Sequence, residues 1–414
     1  MNVSEQRQCV VVGGGPAGLM LGLLLARAGV RVTVLEKHAD FLRDFRGDTI
    51  HPSTMEILHE LGLLETFLQL PHQKVSRLSG QFRDLTIPFA DFSHLPVHAP
   101  FIAMMPQWDF LDFLADEAHR YPNFRLEMQA EATDLISSPA GVTGVEVETP
   151  AGREQLRAHL VVAADGRQSV MRQRAGLTVR DLGAPIDVLW FRLSRAPTDT
   201  DETVGRFDPG AIVVMINRGT YWQCAFVIPK GGIDQLKAKG LPAFKARLAS
   251  VLPVPPARLD EIASWEDLKL LTVRVDRLET WYKPGLLCIG DAAHAMSPVG
   301  GVGVNLAVQD AVAAANILAA PLREDRVEVK HLAQVQARRM FPTRVTQALQ
   351  LAIQNNVIAP TLQAPAMTKA PLPIRLLARW PLLRRLPARL VGLGIRPEHV
   401  SAEIRRGVQM PSSG

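Results

Sequence analysis

Cys9, Val10, Val11 and Val12 form an unbroken apolar run, the kind that builds a strand buried on both faces. The spacing then changes. Leu19, Leu23, Leu24 and Ala26 recur at helical intervals as far as Gly29, which predicts a helix with a glycine stop. A second strand over 30–35 ends at Glu36. Ser53 and Glu56 stand in capping-box spacing before Ile57, Leu58 and Leu61, predicting a helix that stops at Gly62. From 71 to 105 prolines punctuate short alternating runs (78–82, 85–89), which read as strands of a separate sheet. A helix over 109–119 follows, with Asp109 as its N-cap and Gln107 just before it. Alternation over 125–136, 142–149 and 153–160 predicts a β-meander turning at Pro139-Ala140-Gly141 and Pro150-Ala151-Gly152. A strand over 160–164 comes next. Residues 181–275 are strand-like at 188–193, 211–216 and 222–228, with one helix over 234–252. A short buried strand returns at 286–289. A helix then runs from Asn305 to about 318, and the remainder reads as helices.

The glycines between the first strand and helix supply the first chemistry. Gly13, Gly15 and Gly18 stand in G-x-G-x-x-G register. Gly13 permits the tight turn, Gly15 lets backbone approach a pyrophosphate, and Gly18 lets helix pack closely on strand. Phosphate charge is favoured at the helix N-terminus by unpaired N–H groups and the helix dipole. Glu36 falls where an acid accepts from the hydroxyls of an adenosine ribose. It argues against a 2′-phosphate, so the expected tenant is FAD or NAD rather than NADP. Arg46 and Gly47 lie in the next loop, where Arg46 is either a solvated cation or a group reaching back to the dinucleotide.

Composition changes the picture in three places. Length (414 residues) allows two or three domains, and an ordinary proportion of charge suits a soluble enzyme. Three cysteines (Cys9, Cys224, Cys288) show no metal-ligand spacing and no disulfide framework, so no metal site and a cytoplasmic, reducing setting are expected. No signal or transit segment is read before the first strand. The net charge of +5 is uneven: from Ala366 onward nine Lys/Arg face two Glu. The basicity therefore belongs to a C-terminal tail and not to a nucleic-acid-binding face.

Further along are Asp165-Gly166 with Ser169 and Arg172, Gly290-Asp291 with His294, and a glycine-rich loop (Gly300, Gly301, Gly303) leading to Asn305. With the fingerprint, these resemble the class A FAD-dependent monooxygenases, the p-hydroxybenzoate hydroxylase-like family, over about residues 8–60, 100–175 and 280–320. The resemblance implies an α/β fold: a Rossmann-type FAD-binding domain with an inserted β-sheet substrate domain and a helical C-terminal region. The implied division is 1–70, 101–180 and 276–330 for FAD, 71–100 and 181–275 for the substrate sheet, and 331–414 for the C-terminal helices. It also implies that Glu36 holds the adenosine ribose, Arg46 lies near the pyrophosphate and Gln107 contacts the ribityl chain. Asp165 and Gly166 would serve FAD and NADPH, Asp291 would accept from a ribityl hydroxyl, and Pro298, Gly303 and Asn305 would line the flavin ring. The implied reaction uses non-covalent FAD, transient NADPH or NADH, and O2 to hydroxylate an aromatic or similarly electron-rich molecule through a C4a-hydroperoxyflavin. A helix starting near Asn305 behind bare glycine amides would present N–H donors to the negative charge of reduced flavin.

Several readings stay open on the sequence. His294 is either catalytic or a packed structural residue. Arg192, Met215, Tyr221 and Trp222 are pocket residues by location, or ordinary strand residues. Other functions on the same scaffold are a prenyl-chain reductase, a halogenase (although Trp-x-Trp-x-Ile-Pro is absent) or a non-catalytic flavin-binding protein. In the tail, Ile374, Leu376, Leu377, Trp380, Leu383 and Leu386 mix with Arg375, Arg379, Arg384, Arg385 and Arg389. That mixture suits either an interfacial helix on anionic lipid or a helix packed on its parent domain.

Overall fold

The computed structural model describes residues 7–42, 49–82, 85–200, 203–363 and 372–407. At its centre the apolar run becomes the strand Arg7–Val12, flanked on one side by Val32–Glu36 and then Phe124–Met128. On the other side lie Gly152–Ala163, Leu286–Cys288 and Tyr282–Lys283. All these pairings are parallel except the last. Residues Cys9 to Val11 are fully buried, as strands covered on both faces require. Chain order reverses beside Arg7–Val12, so the crevice beyond the carboxyl ends of that strand and Gly152–Ala163 is a topological switch point, where open α/β sheets take ligands.

Helix Pro16–Arg27 packs against the helices Gln107–His119 and Gly303–Arg323. The last is long and apolar enough to cross a membrane by composition, but it is mostly buried inside the protein and forms the core of this layer.

A seven-stranded sheet stands beside it in the order Lys269–Leu271, Ile186–Ser194, Tyr221–Pro229, Ala211–Asn217, Val204–Asp208, Arg77–Phe82, Leu85–Asp91. The two distant segments join through a parallel pairing, Gly205 and Arg206 opposite Gly80 and Gln81. Gln73–Val75 and Ile102–Met104 leave this sheet for a small one with Thr49–Ile50. One face of the large sheet packs against helix Leu241–Val251 through Leu189, Phe191, Met215, Trp222, Phe226, Phe244 and Leu248. The opposite face carries Trp190, Val214 and Ile216 toward the first domain and the C-terminal helix Arg385–Gly392.

Several boundaries differ from the sequence expectation. The alternating stretch 125–136 is two strands in two sheets. Phe124–Met128 ends the parallel sheet, Gln129 turns with φ of 54°, and Glu131–Ser138 pairs with Gly141–Thr149. The two strands expected over 153–164 are one, Gly152–Ala163. Helix Pro52–Glu60 begins after His51 with proline at its first position, so Ser53 is buried in the first turn and does not cap it. Helix Gln107–His119 likewise starts before Asp109, behind Pro106. The helix expected over 234–252 breaks at Gly240, whose φ is 83°.

Candidate functional site

The turn after Arg7–Val12 shows which glycines serve packing and which leave room. Gly13 has φ of 108°, and a Cβ there would stand 2.4 Å from the Ala164 carbonyl oxygen. A Cβ on Gly18 would stand 1.9 Å from the Gly13 carbonyl oxygen. A Cβ on Gly15 would meet nothing within 4 Å. Two glycines are thus demanded by the protein's own backbone, and the third borders space the protein does not fill. Gly15 caps helix Pro16–Arg27 with no side-chain hydrogen bond and no acid in the first turn, leaving the leading N–H groups for an anion.

Three motifs remote in sequence meet there. A Cβ on Gly290 would lie 3.0 Å from the Ala17 Cβ and 3.5 Å from the Ala307 Cβ, so the Gly290-Asp291 loop touches both buried helices near their N-terminal ends. The second, Gly303–Arg323, also begins without a side-chain cap, and a Cβ on Gly303 would meet nothing. Arg167 Nη2 lies 3.2 Å from Asp291 Oδ2, tying the Asp165-Gly166 turn to this loop. Arg172 is buried beneath both and donates to Arg167 O (2.6 Å), Ala292 O (3.3 Å) and Asp276 Oδ1 (3.4 Å). Ser169 caps the intervening helix by accepting from the Arg172 amide. Arg167 and Asp276 were not singled out from the sequence. Arg167 directly follows Gly166, which was an available signal, whereas Asp276 offered none.

Asp165 accepts from the Met171 amide through Oδ2 at 3.1 Å. Its Oδ1 is buried and has no hydrogen-bond partner among the described residues. Burial raises the carboxyl above the usual aspartate range, against the pull of Ser169 and the neighbouring amides. Glu36, half-buried, accepts from the amides of Gly14 (3.0 Å) and His38 (3.1 Å), which aims its carboxylate at the glycine turn. Gln107, also half-buried, opens its helix. Arg46 and Gly47 lie outside the described residues.

The Pro298–Gly303 loop is pinned from two sides. Thr49 Oγ1 donates to Gly301 O (2.9 Å), and Gln350 Nε2 donates to Ser297 O and Val299 O, both at 2.9 Å. Asn305 is buried, and its Oδ1 accepts from Thr54 Oγ1 (2.6 Å) and the His51 amide (3.3 Å). Its Nδ2 is buried and has no partner among the described residues. A small cavity beside it is lined by Ser53, Val302, Leu306, Val391 and Leu393.

His294 belongs to the core, 1% exposed, with Nε2 2.6 Å from Asp310 Oδ2. Asp310 also accepts from the Gly290 amide (3.0 Å) and from Arg339 Nε (2.9 Å); Arg339 reaches on to Glu398 at 3.2 Å. Burial pushes the Asp310 carboxyl up, but His294 and Arg339 together hold it below the usual range. This group fixes Gly290, hence the loop bearing Asp291.

The pocket residues named from the sequence divide by sheet face. Met215 and Trp222 lie in the core against helix Leu241–Val251, with Trp222 Nε1 donating to Asp199 Oδ2 at 2.9 Å. Arg192 and Tyr221 belong to the other face, with the guanidinium 4.9 Å from the ring centre. That face also carries Trp190, Val214 and Ile216; Val299 of the glycine loop packs against the same apolar cluster as the first two. These three were missed because both faces of the sheet are apolar.

An oxygen-rich, phosphate-sized demand is what this crevice presents. Room beside Gly15 and Gly303, two uncapped helix ends and the unpaired Asp165 Oδ1 and Asn305 Nδ2 all fit an extended dinucleotide. With a second sheet facing the glycine loop, the class so defined is that of FAD-dependent aromatic monooxygenases, class A. The chain belongs to the family described as FAD binding domain, which matches residues 6–349. It is 31% identical over 382 residues to 6-methylpretetramide 4-monooxygenase of Streptomyces rimosus, covering 92% of this chain and 91% of that protein. It is 30% identical to rifampicin monooxygenase of Streptomyces venezuelae over 73% of this chain, but spans only 62% of that longer protein. Among solved structures, p-nitrophenol 4-monooxygenase from Pseudomonas putida DLL-E4 superimposes with a TM-score of 0.76, at 20% identity over 98% of this chain and 99% of that one.

Proposed function

We propose that the protein hydroxylates an electron-rich, polycyclic aromatic compound with O2, using FAD and transient NADPH or NADH. The observation that carries this is the meeting of two uncapped, glycine-led helix N-termini at Gly290, beside an apolar sheet face. The 6-methylpretetramide enzyme, similar along almost the whole chain, points to a fused-ring substrate. Bound FAD supplies two-electron chemistry with NAD(P)H and the activation of dioxygen.

The chain's own residues do the rest. Backbone N–H groups of Gly15, Ala17 and Gly18 hold the pyrophosphate, and the Gly13 and Gly18 backbone fixes their direction. Glu36 accepts from the adenosine ribose, Asp291 from the ribityl chain beside Gln107, and Asp165 with Gly166 orders the intervening turn. Arg46 neutralises phosphate charge. Amides at Gly303 and Asn305, backed by the dipole of Gly303–Arg323, stabilise negative charge on the ring held by Pro298 and Gly303. Segments 71–100 and 181–275 form the substrate-binding domain, and Trp190, Val214 and Ile216 exclude water and stack the substrate. Buried free thiols at Cys9, Cys224 and Cys288 suit a cytoplasmic setting.

The test is NADPH oxidation with a panel of fused-ring phenols under labelled dioxygen. One labelled oxygen atom in the product and one in water is the expected result. Reduced product without label would instead favour a reductase on the same scaffold.

A further inference from the structure

No Asp or Glu occurs between Glu328 and Glu398, while arginines recur at 375, 379, 384, 385 and 389. The described part of this stretch folds as helix Leu372–Arg379, the short turn Pro381–Arg384 and helix Arg385–Gly392. Arg384 Nε donates to Leu377 O at 2.9 Å and closes the turn. Inward, Ala388, Val391 and Leu393 pack with Phe92, Leu95 and Ile216. Outward, the segment holds Leu376, Trp380, Leu382, Leu383 and Leu386, five of the eleven exposed large hydrophobic side chains among the described residues. Trp380 is 54% exposed, Leu386 62% and Leu382 69%.

Interspersed with them, Arg375, Arg379, Arg385 and Arg389 are exposed, and none forms an ion pair among the described residues. A concentrated apolar ridge rimmed by one sign of charge marks an interaction surface. We infer that this ridge docks on an anionic lipid bilayer. Leucines and Trp380 enter the interface while the arginine stems lie along it with their guanidinium groups at phosphate level.

A second copy of the chain is the poorer occupant. A twofold contact would set each patch against itself, arginine against arginine, with no acid between Glu328 and Glu398 to relieve it.

The experiment is co-flotation of full-length, FAD-loaded protein with phosphatidylglycerol or phosphatidylcholine vesicles. Association with the anionic vesicles, at least about ten-fold stronger than with the neutral ones and weakened by salt, is expected. Leu382→Ser with Leu386→Ser should abolish flotation while FAD content stays at one per chain, since both side chains are exposed. Arg379→Gln with Arg385→Gln should weaken it by about five-fold for each charge removed. Absence of flotation, equal flotation on both lipids, or flotation untouched by the leucine changes would overturn the inference. So would a concentration-dependent dimer, lost in the leucine variant, without vesicle binding.

Discussion

Gly18→Ala is expected to yield a protein that is both markedly less stable and colourless. The added Cβ would lie 1.9 Å from the Gly13 carbonyl oxygen, 3.1 Å from its carbonyl carbon and 3.3 Å from Val11 Cγ1. The nearest two atoms are backbone, in a turn already committed to φ of 108°, so helix Pro16–Arg27 must move off the sheet. Leu19, Met20, Leu21 and Leu23, each at most 1% exposed, move with it. Overpacking of this kind costs about 1–3 kcal/mol, and displacement of the helix N-terminus removes the phosphate site as well. Gly15→Ala is the informative contrast. Its Cβ meets nothing, so the apoprotein should keep wild-type stability while FAD affinity falls by about ten-fold or more as pyrophosphate loses room. Apoprotein melting and flavin absorbance per chain separate the two effects. A yellow Gly18→Ala protein with unchanged melting would sink the argument.

Arg339→Met should cost stability on the order of 3–5 kcal/mol, because it leaves Asp310 and Glu398 buried without their shared cation. The pH dependence has a definite sign. Asp310 is held below its ordinary 3.8, so its contribution is full above that value and is lost as pH falls through the lower folded value. Urea midpoints measured from pH 7 down to about pH 3 should therefore fall more steeply in the wild type than in Arg339→Met. Parallel curves would show that the ion group contributes no acid sensitivity.

Turn chemistry was legible where a glycine announces it. Gly62, Gly141 and Gly152 take φ of 76°, 129° and 122° at the stops read from the sequence. The passage between sheets at Gln129 carries no such sign, since a non-glycine residue adopts φ of 54° within unbroken alternation. Helix starts were misplaced at Ser53 and Asp109 because side-chain caps were sought where Pro52 and Pro106 set the backbone.

For the site, Gly13, Gly18, Asp165, Gly290 and Asn305 could be singled out because each stands in or beside a turn or helix start that the local pattern marks, although their contacts reach far along the chain. Which face of Ile186–Ser194 turns toward the glycine loop was not legible, since Phe191 and Trp190 look alike in a pattern. Arg339 and Glu398 answer Asp310 only after the whole chain has folded back on itself.

That folding back bears on synthesis. Arg7–Val12 is made long before its parallel neighbour, which ends at Ala163, and the next strand, Leu286–Cys288, appears more than a hundred residues later. Until then Val161 and Val162 present an open edge, and the core helix Gly303–Arg323 follows later still. The dinucleotide crevice therefore stays unfinished until Leu286–Cys288 and Gly303–Arg323 have been made, an interval in which the unpaired strand edges are exposed to aggregation. A fragment ending at residue 275 should consequently aggregate and retain no flavin, whereas one reaching residue 363 should hold it, and pull-down of ribosome-bound chains with immobilised FAD would locate the length at which binding begins.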